Sequence, residues 1–432
     1  MTYAEAVARL LALRGGEHAG MRPGLERIEA LLAALGHPET QFTLVQVGGT
    51  NGKGSTAALL AAMLKAAGRR VGLYTSPHLV SFRERIRVDG EPITPDAVAD
   101  GVDALSTLVA RVDATMFEAT TALALDHFAR EAVDVAVLEV GLGGRLDATT
   151  VGVPAVTVLS RIDRDHEAYL GTTLAAIAAE KAAIIRGGLA VSAAQHAEVE
   201  SVVLRHAAAA HVPLLLEGRD VHVSVRERSV RGQVITCAGP DWRLADARLG
   251  LLGSYQPSNA LLAVTAARHL DVGDSAIRDG LARARWPGRF QVVPGRPTLV
   301  LDGAHNPSGA HALAASLRDV FGETPITLVL GVSADKDAAA ILAALAPAAT
   351  RIVLTRAAHP RAADPDTLPP VGEVTHSSAE ALEVATRDAR TPIVCVAGSL
   401  FLVGEVLARL GGGGDNPCPV EKQADSIEPL FS

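Results

Sequence analysis

The sequence predicts an α/β protein of two domains, each built on a mostly parallel sheet covered by helices. Short apolar runs typical of buried strands alternate with longer Ala- and Leu-rich runs at helical spacing. A glycine-rich loop connects the first of these strands to the helix after it. The alternation stops at 293–297, where two prolines and a glycine stand, and then begins again. This order of elements is typical of parallel sheets with both faces covered.

The larger, amino-terminal domain is predicted from a series of buried strands. The segment 55–67 is Ala- and Leu-rich at helical spacing and ends at Gly68, a suitable C-cap residue. Residues 219–249 alternate between apolar and polar side chains, which predicts antiparallel strands appended to this domain. The predicted strands of its main sheet are 43–48, 70–74, 133–140, 153–159 and 189–193.

The second domain is predicted to be a smaller, Rossmann-like α/β unit. Its strands are expected at 298–301, 326–330, 351–355 and 393–397, with helices between them. We therefore place the amino-terminal domain at 1–293, the carboxy-terminal domain at 298–410 and a glycine-rich, mobile tail at 411–432.

Composition excludes several classes of protein. Of the 432 residues, 48 % are apolar and 20 % are charged, which permits a large core. A net charge of −8 and an aromatic content of 3 % argue against a broad nucleic-acid surface. Three well-separated cysteines, no signal-like start and no apolar run of about 18 residues predict a cytoplasmic protein that does not span a membrane.

The glycine-rich loop at 48–56 carries the strongest functional signal. Its glycines allow the backbone to turn N–H groups towards phosphate oxygens, and the next helix directs its positive end to the same place. Lys53 is placed to reach the β- and γ-phosphates, and Ser55 or Thr56 to ligate magnesium. The loop is not a strict Walker A sequence, and a flexible glycine-rich turn is the alternative.

Three further residues are interpreted from the sequence alone. Glu139 ends an apolar strand beside the phosphate loop, where it is either a magnesium ligand or a solvated carboxylate. His166 follows another strand, and because histidine is an unusual ligand for so hard a cation as magnesium, the sequence alone indicates only a cap of its loop. Lys181 lies in the helical run 174–185, where periodicity predicts an ordinary solvated lysine or a salt bridge.

Ordered motifs along most of the chain resemble the folylpolyglutamate synthase/dihydrofolate synthase family of the Mur ligase superfamily. The resemblance covers about residues 22–405. The motifs are Gly-Thr-Asn-Gly-Lys-Gly-Ser from Gly49, Thr-Ser-Pro-His from Thr75, Phe-Glu-Ala-Thr-Thr from Phe117, Leu-Glu-Val-Gly-Leu-Gly-Gly-Arg-Leu-Asp-Ala-Thr from Leu138, Asp165-His166, Glu-Lys-Ala from Glu180, Trp-Pro-Gly-Arg-Phe from Trp286, Leu-Asp-Gly-Ala-His-Asn-Pro from Leu301 and Asp335-Lys-Asp337.

The resemblance implies an ATP-dependent amide ligase. Such an enzyme activates a carboxylate as an acyl phosphate, which an amine then attacks. The implied substrates are ATP, L-glutamate and either dihydropteroate or reduced folates, with two Mg²⁺ ions, and we expect a monomer. Lys181 is the position that this superfamily carbamylates.

The resemblance also implies a role for individual residues. Lys53, Lys181 and His305 are the expected catalytic residues. Unless it only caps its loop, His305 helps to place the incoming glutamate or the γ-phosphate, and Ser399 is a further expected glutamate contact. The expected metal ligands are Ser55, Ser76, Glu139 and His166. The expected ATP contacts are Gly49, Thr50, Asn51, Gly52, Lys53, Gly54, Ser55, Thr56, Asn259, Arg289 and Asp302. The expected pterin contacts are Thr115, Phe117, Glu118, Leu146, Asp147 and Ala148.

Some positions depart from the family pattern. Asp163 and Arg164 add two charges before Asp165-His166, where they either shift metal affinity or form an ion pair of their own. Thr150 and Ala183 replace the usual asparagine and glycine. Three alternatives therefore stay open: a Mur-type ligase for another carboxylate, a P-loop kinase, and an ATP-gated binding protein.

Overall fold

The computed structural model describes residues 1–14, 22–387 and 391–411. They form the two α/β units that the sequence predicts. The predicted mobile tail lies outside the described residues, apart from Gly411. Within the described ranges, no helix combines the length and the apolar character needed to cross a bilayer.

The amino-terminal domain contains an eight-stranded sheet of order β4-β3-β2-β5-β1-β6-β7-β8. It is parallel from β2 to β8, and β3 and β4 form an antiparallel edge. Because β1 lies between β5 and β6, the loops after these three strands meet at one edge of the sheet. The strands are β1 Thr43–Gly48, β2 Val71–Tyr74, β3 Ile86–Val88, β4 Glu91–Pro92, β5 Val135–Glu139, β6 Val156–Leu159, β7 Leu189–Ser192 and β8 Leu214–Leu216.

Helices cover both faces of this sheet. The alternation along β5 places Val137 in the core below α3, and Leu138 in the opposite core below α5. The helices are α1 Tyr3–Ala12, α2 Glu26–Ala34, α3 Lys53–Ala66, α4 Pro95–Val112, α5 Met116–Arg130, α6 Glu167–Leu170, α7 Leu174–Ala182, α8 Ala197–Ala209, α9 Gln256–His269 and α10 Asp274–Arg283. Helix α7 ends three residues before the predicted end of its run.

The appended antiparallel strands are confirmed. They form a three-stranded sheet of order β11-β10-β9, with β9 His222–Ser229, β10 Gly232–Ala238 and β11 Arg243–Leu249. Along β10, buried and half-buried side chains alternate, and Ile235 and Cys237 join the core that contains α9 and α10.

The carboxy-terminal domain has a six-stranded sheet of order β12-β13-β17-β14-β15-β16. Only β12 runs antiparallel to its neighbour. The strands are β12 Gln291–Val293, β13 Thr298–Leu301, β14 Ile326–Leu330, β15 Arg351–Leu354, β16 Glu373–Val374 and β17 Ile393–Ala397. The helices are α11 Pro307–Phe321, α12 Ala338–Leu345, α13 Ser378–Thr386 and α14 Leu400–Leu410.

The second sheet begins earlier than the break in the sequence indicates. Strand β12 pairs with β13, so Gln291–Val293 belong to the second sheet although they precede the prolines. The two prolines interrupt the chain within a hairpin, not between domains. We therefore propose a domain boundary between Arg283 and Gln291 in place of one at 293.

Candidate active site

The phosphate loop connects β1 to α3 and depends on its glycines. Gly49 and Gly52 have φ values of +131° and +97°, which side chains rarely adopt. A Cβ atom would lie 2.1 Å from Ser160 Oγ if added at Gly49, and 2.4 Å from Asn259 Oδ1 if added at Gly52. Gly52 is the N-cap of α3 and has no side chain that could cap the first amides of the helix. Glycines with positive φ before an uncapped helix start are typical of phosphate-binding loops.

The loop after β6 holds the phosphate loop in place. The Thr50 and Asn51 amides donate to the Arg161 carbonyl at 2.9 and 3.3 Å. The Thr50 hydroxyl exchanges hydrogen bonds with the Asp163 backbone, at 3.0 Å to its carbonyl and 3.1 Å from its amide. Lys53 Nζ donates to the Thr50 carbonyl at 3.1 Å, which folds the lysine back over the loop.

The charged stretch before His166 forms its own ion pairs. Asp163 lies 3.2 Å from His196 Nε2 and 3.4 Å from Arg161 Nε, while Arg164 lies 3.8 Å from Glu167. Both added charges therefore have partners of their own. The sequence left two alternatives for these charges, a shift in metal affinity or ion pairs of their own. The structure contains the ion pairs.

Glu139 ends β5 with its side chain buried, so the solvated alternative is wrong. The residue is 6 % exposed, and one carboxylate oxygen accepts a hydrogen bond from the Ser76 amide at 3.2 Å. Burial raises its pKa, although the charges of Lys53 and Arg289 oppose this effect. A divalent cation would favour the charged carboxylate, so this site is suited to one.

Two other expected metal ligands lie on neighbouring elements. Ser55, at the start of α3, is 2 % exposed, and its hydroxyl accepts a hydrogen bond from Gln256 Nε2 at 3.2 Å. His166 has a φ of +52° and precedes α6, and burial lowers its pKa to about 4. Its imidazole is therefore neutral at pH 7 and able to act as a ligand.

Lys181 is buried, so the solvated lysine predicted from periodicity is wrong. It is 4 % exposed, and Nζ donates to the Gly49 carbonyl at 2.9 Å. Burial, with the positive charge of Lys53 as a smaller cause, lowers its pKa to about 7. A large fraction of the amine is thus neutral at physiological pH, under the phosphate loop.

The residues expected at the pterin lie in two adjoining segments. The Phe117 ring packs against Gly141, where an added Cβ would lie 2.5 Å from Cζ, and it lies 5.9 Å from the Tyr74 ring. Phe117 and Leu146 are half-buried, and Ala148 is buried. The start of α5 and the loop after β5 therefore form one surface.

Three of these expected pterin contacts have protein partners. Asp147 accepts hydrogen bonds from the Leu142 amide at 2.9 Å and from the Thr149 amide and hydroxyl at 2.9 and 2.6 Å. Thr115 and Glu118 form the capping box of α5, and Glu118 pairs with Arg27 at 2.9 Å. The pterin roles of Asp147, Thr115 and Glu118 stay predictions.

The expected nucleotide contacts also have protein partners. They lie in or near the linker, which we define as residues 284–290 between α10 and β12. Asp302 accepts hydrogen bonds from the Tyr255 hydroxyl at 2.7 Å, the Phe290 amide at 2.7 Å and the Ala304 amide at 2.8 Å. Asn259 donates to Gln256 at 3.0 Å, and Arg289 Nη1 donates to the Gly288 carbonyl at 3.1 Å. Asp302 thus ties the linker to both domains.

The residues expected at glutamate lie on the second domain. His305 Nδ1 is 2.8 Å from the Gly303 carbonyl, and its Nε2 is 3.7 Å from Asp165. Ser399 is the N-cap of α14 and accepts a hydrogen bond from the Phe401 amide at 3.2 Å. His305 therefore faces the first domain, whereas Ser399 caps a helix.

Sequence reasoning assigned no role to Asp165, Asn306 or Lys336, which meet in this cleft. Asn51 and Asn306 exchange side-chain hydrogen bonds, both at 3.1 Å. Asp165 accepts hydrogen bonds from Asn306 at 3.0 Å and Lys336 at 2.6 Å. All three lie within the motifs quoted for the resemblance, which was the available signal.

Comparisons with known proteins agree with this architecture. Residues 47–267 match the Mur ligase middle domain, and residues 288–400 match the Mur ligase glutamate ligase domain. The dihydrofolate synthase/folylpolyglutamate synthase of Bacillus subtilis is 34 % identical over 90 % of this chain and 96 % of its own length. The folylpolyglutamate synthase of Mycobacterium tuberculosis, solved with ADP and AMPPCP, is 35 % identical with a TM-score of 0.88, covering 96 % of this chain and 100 % of that one.

A longer relative matches as well. The probable bifunctional folylpolyglutamate synthase/dihydropteroate synthase of Haloferax volcanii is 40 % identical over 94 % of this chain, which spans 50 % of that protein. The two family models together, and the relatives of similar length, match this chain over nearly its whole length. The chain belongs to the folylpolyglutamate synthase/dihydrofolate synthase family of Mur ligases.

Proposed function

We propose that the protein is an ATP-dependent ligase that joins L-glutamate by an amide bond to dihydropteroate, forming dihydrofolate, and to reduced folates. The observation that carries the proposal is the Asn51–Asn306 pair, which brings the phosphate loop against a loop of the second domain. An amine held by that domain would meet a carboxylate activated at the phosphate loop. The names of the relatives support both activities.

The reaction begins when a carboxylate oxygen of the pterin substrate attacks the γ-phosphorus of ATP, and ADP leaves. The glutamate amine then attacks the acyl carbon, loses a proton, and phosphate leaves. Positive charge from Lys53, Arg289 and the start of α3 stabilises the transferring phosphoryl group. The two domains exclude water, which would otherwise hydrolyse the acyl phosphate.

The donors in the cleft fit two Mg²⁺ ions. The hydroxyls of Ser55 and Ser76 and the Glu139 carboxylate are hard oxygen donors, and Glu139 is buried with a raised pKa that a cation would reverse. His166 supplies a neutral imidazole. When bound, the ions neutralise phosphate oxygens and orient them.

Lys181 is proposed to be carbamylated. Its neutral amine would attack CO₂ to form a carbamate and release a proton, so that a side chain only partly charged as an amine would become an anion near the metal ligands. Burial supports this role, because it lowers the pKa of the amine to about 7. High-accuracy mass spectrometry under mild conditions would detect the added CO₂, and a bare lysine there and in a refined structure would refute the carbamate.

The substrate pockets complete the proposal. The surface formed by the start of α5 and the loop after β5, with Phe117 and Leu146 as its proposed contacts, is assigned to the pterin, and His305 is assigned to glutamate or to the γ-phosphate. Asn259, Arg289 and Asp302 are assigned to the nucleotide. The three well-separated cysteines suit a reducing compartment, and we propose a cytoplasmic location. We also propose a monomer, which size-exclusion chromatography with light scattering would test.

The test is phosphate release with each acceptor, with and without L-glutamate. Release with dihydropteroate and with tetrahydrofolate, each dependent on glutamate, is the expected result. Lys53→Ala is the control, which should fold normally and lose turnover. Release without glutamate would indicate a kinase, nucleotide binding without turnover would indicate a binding protein, and turnover with neither pterin would favour another carboxylate.

A further inference from the structure

A cluster of polar side chains connects the two domains across the cleft. From the first domain, Asp165 presents a carboxylate whose side chain is 8 % exposed. From the second, Lys336 donates to it at 2.6 Å and Asn306 at 3.0 Å, and the Lys336 side chain is 11 % exposed. The oppositely charged groups thus come from different domains and are largely shielded from water.

Hydrogen bonds also connect this cluster to the turn at His166 and to the phosphate loop. Asp165 accepts a hydrogen bond from the His166 amide at 2.9 Å, which holds the turn that directs the imidazole. Asn306 is bound to Asn51 of the phosphate loop, and Asn51 also donates to Ser308 at 2.7 Å. Movement of the second domain away from the first would break all the contacts that cross the cleft together, whereas the Asp165–His166 hydrogen bond lies within the first domain.

A second contact between the domains has a different character. Leu79 packs on Gly288 of the linker and on Gly404 of α14, where an added Cβ would lie 2.0 Å from the Leu79 carbonyl oxygen. This close contact is formed by apolar groups and backbone. The ion pair can separate because water would solvate both charges, whereas exposing the apolar Leu79 side chain to water would cost free energy. The Asp165–Lys336 pair can therefore act as a latch that opens and closes, and the Leu79 contact as the hinge that stays packed.

We propose that Asp165 and Lys336 are positioning residues that latch the second domain, with its loop from Ala304 to Asn306, against the phosphate loop. The latch deepens the ligase function proposed above, because it keeps the glutamate-binding domain beside the activated carboxylate. Neither side chain needs to touch a substrate for this role. Loss of either charge opens the cleft about the Leu79 contact.

The test measures the separation of the domains in the full-length protein without ligands. Spin labels at Ala209→Cys on α8 and Ala343→Cys on α12 occupy exposed helical positions, and Cys237 and Cys395 are buried. Cys418 is replaced by serine. Double electron–electron resonance then gives the distance between the labels for the parent, Lys336→Met and Asp165→Asn.

Both single variants should give longer and broader distance distributions than the parent, and the double variant should open no further than either one. Turnover should fall by about 10²-fold, the scale expected for a displacement near 1 Å at a reacting centre. Arg361→Gln is the matched control, since Arg361 pairs with neighbouring Asp335 at 2.8 Å inside the second domain. The control should keep the parental distances and turnover.

An unchanged distance distribution in Lys336→Met would overturn the latch, as would an equal change in Arg361→Gln. Lys336 lies in a loop of the second domain, so this variant is informative even if Asp165→Asn fails to fold. The distance readout does not depend on the reaction. Absence of glutamate-dependent turnover in the parent would refute the proposed function and leave the distance test standing.

Discussion

Two buried glutamates, one at the end of β5 and one at the start of α5, have different surroundings. Glu118 is 4 % exposed and pairs with Arg27, and it also accepts hydrogen bonds from the Thr115 amide and hydroxyl at 2.7 and 2.9 Å. Glu139 is 6 % exposed, and its pKa is raised because burial outweighs its favourable neighbours. A buried acid matched by an arginine of its own domain belongs to the scaffold, because removal of either partner would leave an uncompensated buried charge. A buried acid whose charge is under-compensated is suited to a cation that arrives with the substrate.

The largest expected effect is at Glu139. Glu139→Gln should lower turnover by about 10²–10³-fold, since a preorganised charge at the phosphoryl site is lost. The melting temperature should stay equal or rise, because a neutral amide is easier to bury. Turnover titrated with Mg²⁺, together with a thermal melt, checks both effects. A stability loss with normal turnover would place Glu139 in the scaffold with Glu118.

Glu118 should show the opposite pattern. Glu118→Ala leaves Arg27 buried without its main partner, and the free energy of unfolding should fall by about 3–5 kcal/mol. Glu26→Ala is the matched control, because Glu26 pairs with the same arginine at 3.4 Å from a side chain that is 71 % exposed. Its loss should cost at most about 1 kcal/mol. Urea denaturation measures both. A stable Glu118→Ala protein with a raised KM for the pterin substrate would make Glu118 a substrate contact instead.

Asp147 tests whether a carboxylate with internal partners also binds substrate. If it accepts hydrogen bonds from the pterin, Asp147→Ala should reduce dihydropteroate-dependent turnover by about 5- to 150-fold, or roughly 1–3 kcal/mol, with little change in ATP binding. Thr149→Val removes only the hydroxyl that donates to Asp147. Equal, small losses with dihydropteroate and tetrahydrofolate, reproduced by Thr149→Val, would mean that Asp147 shapes the loop.

The smallest expected effect is a pH-dependent change in stability at Lys181. Its folded pKa, about 7, is below the ordinary lysine value of 10.5, so the unfolded chain binds more protons between these pH values. Burial of this lysine therefore costs most at and below pH 7, and the cost fades as pH rises towards 10. In CO₂-free buffer, Lys181→Met should raise the melting temperature by several degrees at pH 6.5 and by less at pH 9.5. The same gain at both pH values would show that the amine is not neutralised on folding.

The local parts of the fold could be predicted from the sequence. The strand, loop and helix from Thr43 to Ala66 follow from apolar periodicity and from glycines whose positive φ values a side chain would disfavour. Glu139 could be placed because a residue that ends a central parallel strand lies at the edge where the phosphate loop forms.

The contacts between distant segments could not be predicted in this way. The alanine-rich run around Lys181 has no strong apolar face, so its pattern does not show that the phosphate loop covers the lysine. Asp165 and Lys336 are 171 residues apart, and their contact arises only when the domains dock. The partners of Asp302 include Phe290 of the linker and Tyr255, the N-cap residue of α9, which no local pattern connects.

The central claim is that the site activates a carboxylate by phosphorylation, and the fate of one oxygen atom tests it directly. Dihydropteroate labelled with ¹⁸O in its carboxylate is turned over with ATP and L-glutamate, and the phosphate released is analysed by mass spectrometry. We expect one ¹⁸O atom in each phosphate, because the oxygen that attacks phosphorus leaves with it when the amide forms. Phosphate free of ¹⁸O, formed together with the amide product, would contradict the acyl-phosphate route.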